Sequence, residues 1–516
     1  MKKNFIISII FTSMILLGNA QKLTQMTQAI AELRITSLPK SYIFEDSKDV
    51  ISFMSIPIWW SDDAGNNSYI MQIDRNANEI QSIQPNFISL TYSVLQVCNN
   101  KSEFIAYLSD YKKGDSQYTI WKNTYNKTEK ASFEPEKVAS FELNSKDEYF
   151  MFTSRSEDQS KYSILFFVYD SKKVLKKIHA LAIDNEGNLL WHKNENINFP
   201  SKTFYIKGCE ISNNGTIYST IVSHDINSRG NIVSNEYLNI LTLTENEAKV
   251  TSEAVKGFTI RHTAMKILKN GNIAISGYSS AEIKSVTDNV FQIQFDPHNE
   301  TFSPFKKYPF NKIDDLVNRK TSGGQIKTEK FKFDVVDIVE LENGDLITLG
   351  EMREIIRKVY SSGMPICIHH AANILYHNFS ERNTTNIVIN KYQKGTSSWS
   401  SKSYTSSWNE MRLSYSHFVK GNDIYFVYND DAKNIDKPRT DGGVYTCTSD
   451  KNAGVILAKI DANGNVSKNI IHRAKTNSYH FYTNLHPFED EILLFFNKEN
   501  GMFTPNDNMI FKLTDF

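Results

Sequence analysis

Apolar and aromatic residues alternate with polar ones in short runs along most of the chain, and sustained helical spacing is nearly absent beyond the first twenty residues. A period of two predicts half-buried strands. The runs are separated by Asn213-Asn214-Gly215, Lys269-Asn270-Gly271-Asn272, Glu342-Asn343-Gly344-Asp345, Lys420-Gly421-Asn422, Asn185-Glu186-Gly187 and Ala462-Asn463-Gly464. Each offers residues that tolerate positive φ where a hairpin must reverse. Strand, turn, strand is clearest in Met265-Lys266-Ile267-Leu268 and the partner run Ile273-Ala274-Ile275-Ser276-Gly277. It returns from Val336 to Gly350 and from Tyr415 to Tyr428. A second hairpin runs from Ala180 through Asn185-Glu186-Gly187 to Trp191, with a late counterpart from Val455 to Val466. Two hairpins per unit make a four-stranded antiparallel meander.

Units of this kind are expected to begin near residues 51, 94, 138, 205, 264, 335, 413 and 481. A lone four-stranded sheet has two bare edges and two uncovered faces, and stacking such sheets radially removes most of that exposure. The fold class expected is therefore all-β, a β-propeller of seven or eight four-stranded blades; tandem β-sandwiches are the alternative. The last unit, from His480 to Leu513, is one strand short. The N-terminal run Ile30-Ala31-Glu32-Leu33-Arg34-Ile35-Thr36 is expected to supply that strand and fasten the ring. Residues 21–516 read as one domain, interrupted by an insertion at about 355–385.

The run Tyr425-Phe426-Val427-Tyr428-Asn429-Asp430-Asp431-Ala432-Lys433-Asn434, with the later Ile460-Asp461-Ala462-Asn463-Gly464 hairpin, resembles a family of exported, propeller-like proteins of unknown function in Gram-negative bacteria. The resemblance covers most of the mature chain through strand and turn patterns, and it implies no activity and no catalytic residues. Ala182-Ile183-Asp184-Asn185-Glu186-Gly187 through Trp191 is also similar to the docking motif of quinoprotein propellers, but it occurs convincingly once, where that family repeats it in most blades.

Met1-Lys2-Lys3, the apolar run Phe5 to Leu17 and the small residues Gly18-Asn19-Ala20 have the form of a cleaved signal peptide, residues 1–20. The run is short for a membrane span, and no Cys at the cleavage position invites a lipid anchor. A periplasmic or extracellular location and a monomeric state are the expectations. The chain carries 58 basic and 58 acidic groups, so it has no basic footprint for nucleic acid. Cys98, Cys209, Cys367 and Cys447 allow three full pairings, and Cys367 with Cys447 is the pair to test, because both lie in apparent insertions.

The insertion carries Cys367, His369, His370 and His377. Imidazole and thiolate can ligate metals, but His369 and His370 point to opposite faces of a strand and no zinc spacing is present, so neither metal nor cofactor is expected. The three histidines stay candidates for ligand binding. Trp59 and Trp60 are further candidates, since neighbours in a strand cannot share one core and an exposed ring can stack on a sugar or anchor a protein. Trp121, Trp399 and Trp408 also fall in or beside loops. Asp184, Asp461, Asp430 and Asp431 sit at turns, where they are expected to bond nearby backbone amides. Sialidase aspartate boxes, nucleophile elbows, His-Glu-X-X-His helices, Cys-X-X-Cys pairs, phosphate loops and acidic calcium loops are absent. The first functional expectation is thus a non-catalytic exported binding or scaffold protein that recognises a glycan or an envelope protein through its loops. The alternative is a carbohydrate-active enzyme with carboxylates in the central funnel.

Overall fold

The strand Lys161–Tyr169 is buried on both faces, and its alternate side chains enter two different cores. Ile164, Phe166 and Val168 pack with Tyr118, Ile120 and Phe141 of the preceding sheet. Leu165, Phe167 and Tyr169 pack with Cys209, Ile211 and Leu241 of the next one. A sheet sandwiched between two others needs apolar residues on both sides, which is why this strand reads as a nearly continuous apolar run. Each fully buried ring, such as Phe166, contributes roughly 2–3 kcal/mol by leaving water.

The computed structural model describes residues 23–27, 40–47, 50–56, 69–74, 79–83, 93–100, 102–112, 115–144, 146–170, 175–196, 203–226, 232–281, 287, 289–309, 320–321, 324–325, 331–358, 367–380, 385–392, 396–397, 415–436, 453–473, 479–487, 491–498 and 507–514. Among them, eight antiparallel sheets of four or five strands succeed one another along the chain. We call them blades one to eight; their first strands are Lys40–Ser47, Ser93–Asn99, Glu148–Arg155, Thr203–Ile211, Thr259–Ile267, Phe331–Glu340, Ser416–Lys420 and Tyr479–Pro487. Blades one to seven follow chain order across their main path, and blade eight takes its outer strand from the N-terminal segment. Apolar seams join every successive pair from blade two to blade eight. This succession fits a propeller, since tandem sandwiches would leave alternate sheet faces uncovered. The first strands of blades three, four, five and six adjoin in turn, which makes them the innermost strands, around the axis. A single helical turn, Lys433–Asp436, is the only helix among the described residues; none there is long and apolar enough to cross a membrane.

The turns take the predicted form. Gly215 and Gly271 adopt φ of 87° and 85°, a region in which a side chain is strained. Their N–H groups donate to Ser212 O and Leu268 O at 2.9 and 2.8 Å, closing the reversal. Asp184 and Asp461 serve their own turns: Asp184 Oδ1 accepts from Glu186 N and Asn188 N, and Asp461 Oδ1 from Asn463 N and Asn465 N.

Three expectations are displaced. Blade one starts at Lys40, and Val50–Ile56 near the expected start is its second strand. Glu136–Glu142, expected to open a unit, is the outer strand of blade two, and blade three opens at Glu148. The strand that completes the last blade is Leu23–Thr27, paired antiparallel with Asp507–Leu513, whereas Ile30 to Thr36 lies outside the described residues. The chain's two ends thus share one sheet. Deleting residues 21–27 is expected to lower unfolding stability by at least about 2 kcal/mol, because the edge carrying buried Phe511 and Leu513 loses its cover. An unchanged urea midpoint would show that this clasp adds nothing to ring stability.

Candidate functional site: the axial channel

The first strands of blades four to seven each carry a half-buried polar side chain that couples with the others. Glu210 lies on Thr203–Ile211, Lys266 on Thr259–Ile267, Asp337 on Phe331–Glu340 and His417 on Ser416–Lys420. All four are half-buried, in contrast to the apolar second and third strands behind them. Local irregularity helps to aim them. The innermost strands of blades four, five and six carry β-bulges, between Ile206 and Gly208, Ile260 and His262, and Val335 and Asp337. A bulge inserts one residue and re-aims the side chains beyond it. In blade six Asp334 pairs with Glu351 and Asp337 with Leu349, so two aspartates three residues apart return to the same face.

Two histidine–aspartate pairs bridge the blades. His417 Nε2 lies 3.0 Å from Asp337 Oδ2. Asp337 Oδ1 accepts the Ile338 N–H at 2.7 Å. One step away, His262 Nδ1 lies 3.3 Å from Asp334 Oδ1. Burial alone would raise the Asp337 carboxyl, but the hydrogen bond and charge of His417, the charge of Lys266 and the Ile338 amide outweigh it and hold the group below the usual carboxylate range. Glu210 goes the other way: burial pushes it up to about 7, with Lys266 pulling it down and Asp337 pushing it further up. Near neutral pH Asp337 is therefore ionised, while Glu210 is divided about evenly between its protonated and ionised forms. Residues whose environments separate two carboxyls in this way are suited to acid and base roles.

The histidines and tryptophans singled out from sequence are not gathered here. His377 is buried in the seam of blades five and six, with Nε2 3.3 Å from Tyr278 OH. His369 and His370 occupy successive positions of the strand Cys367–Asn378, paired with Ile356 and Ile355. That strand forms with Leu346–Lys358 the long central hairpin of blade six. Trp59, Trp60, Trp399 and Trp408 lie outside the described residues, and Trp121 is half-buried on Gln117–Asn126. Cys98 and Cys209 are buried free thiols, while the Cys367–Cys447 pairing lies outside the described side chains. No group of three or more His, Cys, Asp or Glu is placed to hold a metal among the described residues. Local sequence does not mark the channel residues as a set. The usable signal is the turn repeat itself, since Glu210 and Lys266 both stand five residues before the turn glycine, Gly215 and Gly271.

No family model and no curated protein matches the chain. Among solved structures it is similar to the polysaccharide lyase Uly1, at 10% identity and a TM-score of 0.39 over 84% of this chain and 93% of that one. A protein of unknown function from Dyadobacter fermentans has 8% identity and a TM-score of 0.32, over 83% and 97%. An apocarotenoid oxygenase of Synechocystis shares 11% identity and a TM-score of 0.30, over 95% and 96%. These likenesses are distant, and the fold stands on the chain's own sheets and seams.

Proposed function

We propose that the axial channel cleaves a glycan chain by acid–base catalysis. The observation that carries this reading is that Glu210 and Asp337, on the first strands of blades four and six, lie within electrostatic reach of Lys266 and have carboxyls shifted in opposite directions. Breaking a glycosidic bond calls for one carboxyl that can protonate the leaving oxygen and another that is ionised to assist water or the developing cation. Glu210 takes the first role. Asp337, held ionised and oriented by His417 and the Ile338 amide, takes the second. Lys266 sets the charge between them: its attraction keeps Glu210 from rising further and helps to keep Asp337 ionised. The N-terminal pattern from Met1 to Ala20 supports an activity outside the cytoplasm, where a large glycan is accessible.

The reading replaces passive glycan binding as the first expectation, and the two separate in one assay. Wild-type protein is incubated with a panel of neutral and uronate-containing polysaccharides. New reducing ends show cleavage, and ultraviolet absorbance of an unsaturated product separates elimination from hydrolysis. Asp337→Asn is expected to reduce the rate on any cleaved substrate by about 10²–10⁴-fold with little change in binding. Glycan binding with no new reducing ends in the wild type would reject catalysis and leave recognition alone.

A further inference from the structure

The chain holds five Asn-Gly pairs, beginning at Asn214, Asn270, Asn343, Asn463 and Asn500; the last lies outside the described residues. The other four occupy turns with one backbone form. Gly215, Gly271, Gly344 and Gly464 take φ of 87°, 85°, 83° and 82°. Their N–H groups donate to the carbonyls of Ser212, Leu268, Leu341 and Asp461, three residues back, at 2.9, 2.8, 3.0 and 2.9 Å. All four asparagines are exposed. An Asn-Gly pair is open to attack by its own backbone, because glycine has no Cβ to shield its nitrogen or to restrict its φ. With backbone and exposure alike, the four turns differ in what holds the asparagine side chain.

Three turns restrain it. Asn214 Oδ1 accepts the Thr216 N–H at 3.1 Å and the Ser212 hydroxyl as well. Asn270 Oδ1 accepts the Asn272 N–H at 2.9 Å. Asn343 Oδ1 accepts the Asp345 N–H at 2.9 Å, and its Nδ2 donates to Asp345 Oδ2 at 3.3 Å. The fourth turn opens on an aspartate. Asp461 Oδ1 takes the corresponding Asn465 N–H at 2.8 Å and the Asn463 N–H at 2.9 Å, while its Oδ2 accepts from Asn465 Nδ2 at 2.9 Å. A carboxylate is the stronger acceptor, so it displaces the carboxamide from the amide that restrains it in the other turns. The Asn463 carboxamide has no hydrogen bond among the described residues. We infer that Asn463 is a site of self-modification, at which the Gly464 nitrogen closes on the side-chain carbonyl and converts the residue to aspartate or isoaspartate faster than at Asn214, Asn270 or Asn343.

Base in solution removes the Gly464 N–H proton, the nitrogen bonds to Asn463 Cγ, and the Cγ–Nδ2 bond breaks with release of ammonia. Water then opens the five-membered imide. Cleavage between Cγ and the nitrogen leaves aspartate; cleavage at the main-chain carbonyl leaves isoaspartate, whose backbone is one methylene longer. The glycine N–H must leave its turn hydrogen bond in all four cases, and the bond to the carboxamide is an added barrier in three. Position gives the change a consequence. The turn joins Ala453–Ile460 to Val466–Arg473 in blade seven, where Ile460 pairs with Val466. The Ala462 N–H donates to Asp423 Oδ1 at 3.2 Å, tying this hairpin to the first one of the blade. A new carboxylate stands beside Asp461, and an added methylene lengthens the link between the paired strands. Blade seven is where the ring loosens first with age.

The test is to hold the folded wild-type protein in mildly alkaline buffer, digest samples over time and follow each Asn-Gly peptide by mass spectrometry. Asn463 is expected to convert at least about fivefold faster than each of Asn214, Asn270 and Asn343, the factor that one intact hydrogen bond is worth. In urea, with the turns gone, the four rates should draw together. Asp461→Ser copies the turn at Ser212 and should slow Asn463 to the rate of Asn214. Ser212→Asp should raise Asn214 to the rate of Asn463. The wild-type comparison stands even where a variant fails to fold. Equal rates at the four sites of the folded protein, or a faster rate at any of the other three, would overturn the assignment. So would the same ordering in urea, which would trace the difference to neighbouring sequence and not to the turn.

Discussion

Glu210→Gln is expected to abolish most glycan cleavage, by about 10²–10⁴-fold in kcat, and to make the protein more stable at alkaline pH. The two effects share one cause. A carboxyl at about 7 in the folded chain, against an ordinary value of 4.5, binds its proton more tightly when folded than when unfolded. Its contribution to stability is intact below about pH 4.5 and is lost as pH rises through about 7. Integrated over that window the loss amounts to about 3 kcal/mol, and the neutral amide does not suffer it. Urea midpoints at about pH 4.5 and about pH 8 should therefore diverge less in Glu210→Gln than in the wild type. Wild-type activity should fall as pH rises past about 7, when the proton donor is lost. A pH profile with no descending limb near neutrality would argue against Glu210 as the acid, even if its removal destabilised the protein.

The strands and their turns were legible because they obey local rules. Alternation in Met265 to Ser276 and the Asn-Gly turns at Gly215 and Gly271 depend on a few neighbouring residues, and the backbone takes the expected positive φ there. Blade boundaries were less legible. The outer strand Glu136–Glu142 and an innermost strand such as Glu148–Arg155 have similar local patterns, and only their partners across the sheet distinguish them. The closing strand shows the same limit: an unfinished last blade implies the need for it, but the segment that fills the place is Leu23–Thr27.

The channel was the least legible part, for a physical reason. Glu210, Lys266, Asp337 and His417 are spread over four blades, and no short spacing brings them together. Ring closure makes the juxtaposition, and the bulges refine it by shifting side chains between faces. His377 illustrates the converse. Its neighbours in sequence suggest a polar, ligand-facing loop, yet the register of Cys367–Asn378 against Leu346–Lys358 sets it opposite Thr348 and buries it beside Tyr278. A histidine's role here is set by which seam its strand faces, which no local motif encodes.

The seam between blades two and three carries the second large expected effect. His179 is 1% exposed, lies in a stack on Phe141 with ring centroids 3.8 Å apart, and has neither ring nitrogen hydrogen-bonded. The stack continues from Phe141 to Tyr118 and Tyr111 on one side and from His179 to His192 on the other. Burial, with smaller contributions from His192 and Lys177, lowers His179 to about 3 from an ordinary 6.5. The folded protein thus resists a proton that the unfolded chain accepts, so stability is intact above about pH 6.5 and drains away as pH falls toward about 3. Between about pH 6.5 and about pH 4 the loss is about 3 kcal/mol. His179→Phe keeps a ring in the stack and removes the titration. It is expected to match or slightly exceed the wild type at about pH 7, where an unbonded ring N–H no longer has to be buried, and to exceed it by about 3 kcal/mol at about pH 4. Urea unfolding at the two pH values measures the difference directly. An equal acid loss in both proteins would assign the acid sensitivity to other groups, and a loss of stability at neutral pH would show that the seam lacks room for the larger ring.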